Sequence, residues 1–291
     1  MDVLRGAGWN IEMHVSTTPE VARRLALCAA NDQRDVVLVG GGDGTVSEVV
    51  NGLAGTATAL AVLPMGTGNV WATVTGLVRK PRPFSAPNLV HAARLIAESE
   101  VRAVDIGLAK SSCAADSDGR YFLLWAGVGV DAWIAERMER GREATLKRRF
   151  GNLAYLAVGL ARARQFHGER MTVVLDGACK VCSVLMVHIA NVGLYGGGLL
   201  RIAQYARVDD GYLDVCIFKG EGVRACLSHL FRVWLGRHLG RADVEYRKVS
   251  RIALEGHALG VQTDGDPVGR LPAEFEVVPR GLRVLMPRTV T

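Results

Sequence analysis

The chain has 291 residues, about twice the common domain size of roughly 150, which excludes a small disulfide-stapled scaffold and favours two modest domains or one large one. A hydrophobic content of 49% with 22% charged residues excludes disorder over most of the length. Lys and Arg number 35 against 29 Asp and Glu, a net charge of +6. This excess favours anionic partners such as nucleotides, acidic membrane surfaces or nucleic acid.

The first hundred residues alternate helix and strand signals. We predict a helix that begins after Thr18 and runs to about residue 30, a buried strand over 36–39, a helix over 45–53, a strand over 59–63, and helices from Val70 and over 86–97. Fully apolar strands that alternate with helices predict a parallel sheet.

Short strands with turn signals follow a segment at 102–110. We predict strands over residues 121–127, 172–175, 182–190, 213–218, 249–254, 261–263, 275–278 and 282–286. Asp176-Gly177 is typical of a hairpin turn. Helical stretches interrupt these strands over 132–164 and 222–240. The number of short strands at close intervals predicts an all-β second domain.

The six cysteines are scattered without a disulfide framework, which fits a reducing cytosol. Cys179 and Cys182 form a CxxC pair, but no second pair or His stands at zinc-finger spacing, so a buried strand is favoured over a zinc or redox site. No signal peptide opens the chain, and glycines and polar residues interrupt its two longest uncharged stretches, 49–78 and 181–200. We therefore expect a cytoplasmic protein.

The strongest local signal is the run GGGDGT at residues 40–45, directly after the apolar strand. Consecutive glycines before a helix expose backbone N–H groups at the positive end of the helix dipole, where phosphate binds. We expect Asp43 to be exposed in this turn, where it would contribute charge rather than packing. A tight turn capped by Asp or Thr explains the spacing equally well.

A second polar glycine loop, PMGTGN at residues 64–69, follows the next strand and is expected at the same sheet edge. The two loops together resemble the diacylglycerol kinase catalytic family, which includes bacterial lipid kinases and sphingosine or ceramide kinases. Further matches follow in family order: VDIG at 104–107, GVGVDA at 127–132, YGGG at 195–198, DDGYLD at 209–214 and QTDGDP at 262–267.

The resemblance implies an α/β nucleotide-binding domain of the NAD kinase and diacylglycerol kinase type, followed by an all-β sandwich. The first domain would comprise residues 1–104 with a returning strand at 280–291, and the second would comprise 105–279. The implied function is ATP-dependent transfer of the γ-phosphoryl group to a lipid hydroxyl, with diacylglycerol or a related lipid as the substrate. ATP and Mg²⁺ are the implied cofactors.

The family motifs also imply site residues. Nucleotide contacts fall on Gly41, Gly42, Asp43, Gly44, Thr45, Glu48, Gly66, Thr67 and Asn69. Metal sites fall on Asp105, which would support the nucleotide metal, and on Asp210 with the carbonyls of Arg207 and Tyr212 for a structural Mg²⁺. Without the resemblance, the residues of the Asp209-Asp210-Gly211 segment favour a solvated turn over a metal site.

Relatives carry a DGE segment near the carboxyl end whose acidic residue is the implied general base. This chain has Asp264-Gly265-Asp266, so the base is assigned to Asp266, one methylene shorter than Glu, or to Asp264. Two further departures stand out. Val70 occupies a position where many relatives have Asp. The family's opening strand, with its Asn-Pro-x-Ser-Gly loop, has no match in this sequence, and for that reason we expect an upstream extension to be needed for tight ATP binding.

The charge distribution is consistent with a lipid substrate at a membrane surface. Residues 136–170 contain nine Lys or Arg against four Glu, and residues 222–241 interleave arginines with large apolar side chains. An amphipathic helix on acidic headgroups and a core-packed helix with a solvated basic face fit the second segment equally well. We expect peripheral contact with the inner face of the membrane and no nucleic-acid partner. A homodimer is compatible with the sequence.

Two other functions compete with the lipid kinase. NAD kinases share the GGDGT motif, but their Asn-Glu motif and later Gly-Ser-Thr segment are not found here. The departures at Val70 and at the first strand instead favour a catalytically impaired protein that binds lipid or nucleotide. An ATP turnover assay with mixed-lipid vesicles separates an enzyme from a binding protein.

Overall fold

The structure, a computed structural model, describes residues 1–78, 87–112, 118–139, 168–257 and 259–288. The chain divides into two compact units. The first comprises Met1–Val104 with Arg280–Thr291, and the second comprises Asp105–Pro279.

The first unit alternates helices with parallel strands. Its elements are α1 (Asp2–Gly6), α2 (Pro19–Asn31), β1 (Val36–Gly41), α3 (Asp43–Leu53), β2 (Ala59–Pro64), α4 (Val70–Val74), α5 (Leu89–Ala97) and the start of β3 (Glu100–Ser111). β1 and β2 pair in parallel from Val36 opposite Ala59 to Gly41 opposite Pro64. The end of the last strand, β15 (Ala273–Met286), pairs in parallel with β2. The predicted parallel α/β arrangement is therefore confirmed.

The second unit is dominated by antiparallel strands. Its elements are β4 (Arg120–Phe122), β5 (Trp125–Gly129), α6 (Val130–Glu139), β6 (Glu169–Leu175), β7 (Ala178–Ala190), β8 (Leu194–Tyr195), β9 (Leu200–Arg201), β10 (Leu213–Lys219), α7 (Gly222–Trp234), β11 (Val244–Val249), β12 (Arg251–Glu255), β13 (Gly260–Thr263), β14 (Asp266–Arg270) and the first part of β15. β7 is central because it pairs with β5, β6 and β10.

Each of the two units has its own core of buried apolar side chains. In the second unit, alternate strand residues such as Val173, Val187, Ile189 and Phe275 are almost fully buried in one apolar cluster. The first unit packs α1, α4 and α5 against the sheet through a separate cluster. None of the helices within the described residues is long and apolar enough to cross a membrane.

Two predicted strands are each divided in two by an aspartate from elsewhere in the unit. The predicted strand 121–127 breaks after Phe122 because Leu123, Leu124 and Trp125 donate their amides to the Asp264 carboxylate. The predicted strand 249–254 breaks at Ser250, whose amide, like that of Arg251, bonds to Asp176. These long-range bonds have no local sequence signal.

Other boundaries also differ from the predictions. α3 begins at Asp43, two residues earlier than predicted, and α7 ends at Trp234 rather than Gly240. The strands β3, β8, β9 and β14 were not predicted, and β11 overlaps the predicted strand 249–254 only at Val249. The predicted helical stretch 132–164 is described only as far as Glu139, and most of the basic run at 136–170 lies outside the described residues.

Candidate active site

The two glycine loops meet at the carboxyl ends of β1 and β2. Met65 donates its amide to the Gly41 carbonyl at 3.0 Å. A Cβ on Gly66 would stand 2.4 Å from the Cα of Gly42, and a Cβ on Gly42 would stand 3.1 Å from the Cα of Gly66. The two backbones can approach this closely only because both residues are glycine.

Asp43 joins the two loops instead of extending into solvent. Its carboxylate accepts the amides of Val70 at 3.1 Å and Trp71 at 3.3 Å, which are the first amides of α4. The expectation of an exposed turn aspartate was therefore wrong: Asp43 is in the first turn of α3, half-buried, and caps a helix 27 residues later. Desolvation raises its pKa, while the backbone bonds act in the opposite direction.

Asn69 closes the second loop on itself. The Asn69 backbone has a left-handed φ of 48°. The Asn69 side chain accepts a hydrogen bond from the Gly66 amide at 2.9 Å and donates one to the Gly66 carbonyl at 2.6 Å. These two bonds use both ends of the amide group. The expected contact of Asn69 with ATP would therefore be additional to a structural role.

The α3 N-terminus presents backbone amides next to this junction. Gly42 is the N-cap residue and supplies no side-chain cap bond, so the first amides of the helix have no intrahelical acceptor. Nothing lies within 4 Å of a Cβ built on Gly44, whereas one on Gly41 would stand 2.9 Å from the Cβ of Thr45. Thr67 is exposed on the second loop, and Glu48 is buried one turn further into α3.

In the second unit, Asp264 occupies a tight turn between β13 and β14. The turn has a φ of 52° at Asp264 and 93° at Gly265, values typical of a two-residue hairpin. The Asp264 carboxylate accepts three amides, from Leu123 at 3.0 Å, Leu124 at 2.9 Å and Trp125 at 3.1 Å. Burial raises the pKa of Asp264 to about 6, and the charge of Asp266 is a smaller cause in the same direction.

Asp266 lies two residues further on, at the start of β14, and is more accessible. Its side chain is 38% exposed, and its carboxylate lies 3.7 Å from the guanidinium of Arg120. The structure therefore brings the two predicted carboxylates into one turn but gives them different surroundings. Three backbone donors hold Asp264, whereas Asp266 is the more exposed of the two.

A buried polar network that the sequence analysis did not predict supports this turn. The Tyr195 hydroxyl donates to Asp131 at 2.5 Å, Gln262 donates to the same carboxylate at 2.8 Å, and the Gln262 oxygen accepts the Gly265 amide at 2.7 Å. Burial raises the pKa of Asp131 to about 6. Asp131, Tyr195 and Gln262 each lie in a matched motif, and that was the only signal for them.

The fully buried His188 packs beside this network. Its ring centroid lies 5.2 Å from that of Tyr195 and 6.2 Å from that of Trp125. Desolvation lowers the pKa of His188 to about 3, so the ring is neutral near pH 7. Neither its ring nitrogens nor the Trp125 indole N–H has a hydrogen-bond partner within the described residues.

The predicted metal residues meet around one loop of the second unit. The Asp105 amide donates to the Val208 carbonyl at 2.6 Å, and the Asp105 carboxylate accepts the Gly211 amide at 2.7 Å. Asp105 thus organises the loop that carries Arg207, Asp210 and Tyr212.

Asp210 has a basic partner in the structure, so its predicted role in a structural Mg²⁺ site stays a prediction. The Lys248 ammonium pairs with its carboxylate, and the neighbouring Asp209 pairs with Arg207 at 3.1 Å. The described ranges hold no group of three His, Cys, Asp or Glu side chains placed for a metal ion. Both CxxC cysteines lie in β7, which begins four residues before the predicted strand 182–190. Cys179 is exposed and Cys182 is half-buried, so the strand is confirmed but the expected burial is not.

Paired glycine loops at the carboxyl end of a parallel sheet, beside an open helix N-terminus, are typical of proteins that bind phosphate groups. Residues 1–109 match the diacylglycerol kinase catalytic domain family, and residues 125–286 match the YegS C-terminal NAD kinase beta sandwich-like domain. The chain belongs to the diacylglycerol kinase catalytic domain family, a family of lipid kinases.

Individual relatives support this membership. The chain is 32% identical to a diacylglycerol kinase of Mycobacterium tuberculosis over 92% of its length and 82% of the relative. It is 31% identical to a probable lipid kinase YegS-like of Pseudomonas aeruginosa, over 97% of this chain and 87% of the relative.

Solved structures share the fold. A diacylglycerol kinase of Bacillus anthracis superposes with a TM-score of 0.72 at 22% identity, covering 100% of this chain and 90% of that chain. An NAD kinase of Archaeoglobus fulgidus in complex with ATP superposes at 0.51 and 12% identity, covering 99% and 88%. The predicted fold class, an α/β domain of this kinase type followed by a β-sandwich domain, is confirmed.

Proposed function

We propose that the chain transfers the γ-phosphoryl group of ATP to a lipid hydroxyl, with diacylglycerol as the substrate. The observation that carries the proposal is the junction of the two glycine loops, where open amides of α3 lie beside backbones that only glycine allows to touch. Phosphate oxygens bind in such surroundings. The names of the M. tuberculosis and P. aeruginosa relatives support a lipid as the acceptor.

The first unit would bind the nucleotide phosphates. In this proposal, the amides of Gly44 and Thr45 contact the phosphates directly, and the Thr45 hydroxyl and Thr67 add donors at the rim. Gly41, Gly42 and Gly66 provide the close backbone approach, while Asp43 and Asn69 hold the loops in place. Phosphoryl transfer depends mainly on such positioning, because the reaction needs little covalent chemistry from the protein.

The second unit would supply the general base. Asp266 has the exposure that a group needs to reach a lipid hydroxyl and accept its proton as the oxygen attacks the γ-phosphorus. Asp264 would anchor the turn through its three amide bonds, and the Asp131 network would fix Gly265 between the two carboxylates. A base that is displaced by even about 1 Å loses much of its advantage.

Mg²⁺ enters this proposal only as an ion that the nucleotide brings with it. When bound, such an ion neutralises charge on the phosphates, and it usually keeps several waters and one or two carboxylates. We assign no protein ligand to it, because the carboxylate of Asp105, the residue predicted to support this metal, already accepts the Gly211 amide at 2.7 Å. A lipid substrate would also require the enzyme to work at a membrane surface.

The test is an ATP turnover assay with three acceptors: diacylglycerol in mixed-lipid vesicles, the same vesicles without diacylglycerol, and NAD. We expect radiolabelled phosphate to appear in lipid only with diacylglycerol. Phosphorylated NAD would replace the proposal with an NAD kinase function. ATP binding without transfer to any acceptor would favour the catalytically impaired alternative.

A further inference from the structure

Helix α7 carries apolar side chains on two opposite faces. The inner face packs into the second unit: His229 and Val233 are buried, and Val223 and Cys226 pack against a cluster formed by Ile134 and Leu185. The His229 ring contributes a bond to the Lys219 carbonyl at 2.8 Å. This inner face is sufficient to fold the helix onto its unit, as for an ordinary amphipathic helix.

The outer face is equally apolar but open to solvent. Leu227 is 42% exposed, Phe231 59%, Trp234 68% and Leu235 43%. Their spacing places them in one stripe along the helix, and the Phe231 and Trp234 rings lie 6.2 Å apart. A contiguous stripe of this kind, unlike scattered exposed apolar residues, indicates an interaction surface.

Exposed arginines flank this outer stripe. Arg224 lies one turn before Leu227, and Arg237 lies three residues beyond Trp234; both are exposed. A helix with Trp, Phe and Leu on one side and arginines at its ends is typical of segments that lie in the plane of an anionic membrane surface. A second copy of this chain fits less well, because a two-fold pairing of the stripe would bring arginines of the two copies near each other in a chain of net charge +6.

We propose that the outer stripe of α7, formed by Leu227, Phe231, Trp234 and Leu235 with Arg224 and Arg237 beside it, docks on an anionic lipid bilayer. The aromatic and aliphatic side chains would enter the boundary between headgroups and acyl chains, and the guanidinium groups would pair with lipid phosphates. This proposal rests on the proposed lipid kinase function, since such a surface would bring the enzyme to its substrate.

The test measures co-sedimentation of the full chain with phosphatidylcholine vesicles, with and without phosphatidylglycerol. We expect binding to the anionic vesicles that weakens as salt is added. The double variant Phe231→Ser/Trp234→Ser should bind at least about tenfold more weakly, because two large apolar side chains no longer enter the bilayer. Arg224→Gln/Arg237→Gln should lose about tenfold on anionic vesicles only.

The matched control is Met13→Ser/Val15→Ser, which removes two exposed apolar side chains from the first unit. We expect it to bind vesicles like the unaltered chain. Undiminished vesicle binding by Phe231→Ser/Trp234→Ser, with a normal melting curve, overturns the proposal. A dimer that becomes a monomer in this variant, with vesicle binding unchanged, also overturns it and assigns the stripe to a second copy.

A second measurement covers the case in which the double variant fails to fold. Trp234→Phe keeps an apolar ring at the same place but removes its indole. We expect anionic vesicles to shift the tryptophan emission of the unaltered chain to shorter wavelength, and Trp234→Phe to lose most of that shift while still binding. An equal shift in both proteins overturns the proposal.

The two proposals fail in different ways. A short-chain diacylglycerol that dissolves as monomers should be phosphorylated by Phe231→Ser/Trp234→Ser at the same rate as by the unaltered chain, because the stripe is needed only for access to a bilayer. If the unaltered chain phosphorylates no lipid yet binds anionic vesicles through α7, the docking surface stands and the kinase proposal alone is overturned.

Discussion

Asp266 and Asp264 share a turn, but they differ in exposure and bonding, and this difference can be measured. Asp266→Asn should reduce turnover by about 10²- to 10⁴-fold through loss of the general base. It should leave the melting temperature nearly unchanged, because the side chain is 38% exposed. Steady-state kinetics with diacylglycerol vesicles and a thermal melt provide both values.

Asp264→Asn should lower turnover and stability together. An asparagine side chain has one acceptor oxygen, so it cannot replace a carboxylate that accepts three amides. An unpaired buried amide costs about 1–3 kcal/mol in unfolding free energy. If Asp264→Asn is inactive but stable while Asp266→Asn retains full activity, the base is Asp264 and the assignment to Asp266 is wrong.

Asp43→Asn should likewise affect both the fold and the reaction. The substitution leaves one of the α4 amides, from Val70 or Trp71, without its acceptor, at a cost of about 1–3 kcal/mol. The second glycine loop would then lose its anchor, and we expect ATP affinity to fall with it. Denaturant unfolding and nucleotide titration measure the two effects. Unchanged stability would contradict the capping role.

Between elements, the contact of the two glycine loops makes Gly66 intolerant of any side chain. Gly66→Ala would place a methyl group 2.4 Å from the Gly42 Cα. Because that Cα is a backbone atom, it cannot rotate away as a flexible side chain would, and the loops must separate. We expect a loss of roughly 1–3 kcal/mol in stability and a clear loss of ATP affinity by calorimetry.

The control for this prediction is Gly6→Ala, because a Cβ built at Gly6 has nothing within 4 Å. Its melting temperature and ATP affinity should match those of the unaltered chain. Equal ATP affinities for Gly66→Ala and Gly6→Ala would show that the junction of the loops does not form the nucleotide site.

Elements that the sequence predicts well are those with local causes. Thr18 accepts the Val21 amide and starts α2 as expected, and Asp176-Gly177 forms the hairpin turn between β6 and β7 with positive φ at both residues. The apolar run at 36–39 becomes β1. In each case, the residues that determine the geometry are neighbours in the chain, so their types carry the information.

Long-range side-chain bonds are the part that the sequence does not reveal. Asp264 divides β4 from β5 over about 140 positions, and Asp43 caps a helix on the other side of β2. Motif matching places Asp131, Tyr195 and Gln262 near a functional region, but neither their types nor their spacing indicates that they bond to one another. Only the folded arrangement of α6, β8 and β13 brings them together.

For the second unit as a whole, buried titratable groups make stability depend on pH in opposing directions. The pKa values of Asp131 and Asp264 are raised to about 6 by burial, so the folded state holds their protons more tightly than an unfolded chain does. Their contribution is complete below about pH 4 and is lost as the pH rises through 6. The pKa of His188 is lowered to about 3, and its contribution is lost as the pH falls below about 6.5.

The opposing trends cancel in part, so the informative quantity is the difference between the unaltered chain and Asp131→Asn. An asparagine at this position can accept from Gln262 and donate to the Tyr195 oxygen, which keeps the network closed without a titrating proton. Relative to the unaltered chain, the variant should gain up to about 3 kcal/mol of unfolding free energy between pH 4 and pH 7. Urea unfolding across this range measures the gain. A constant difference between the two proteins at every pH would mean that Asp131 keeps an ordinary pKa and is ionised throughout, with its charge held by Tyr195 and Gln262 alone.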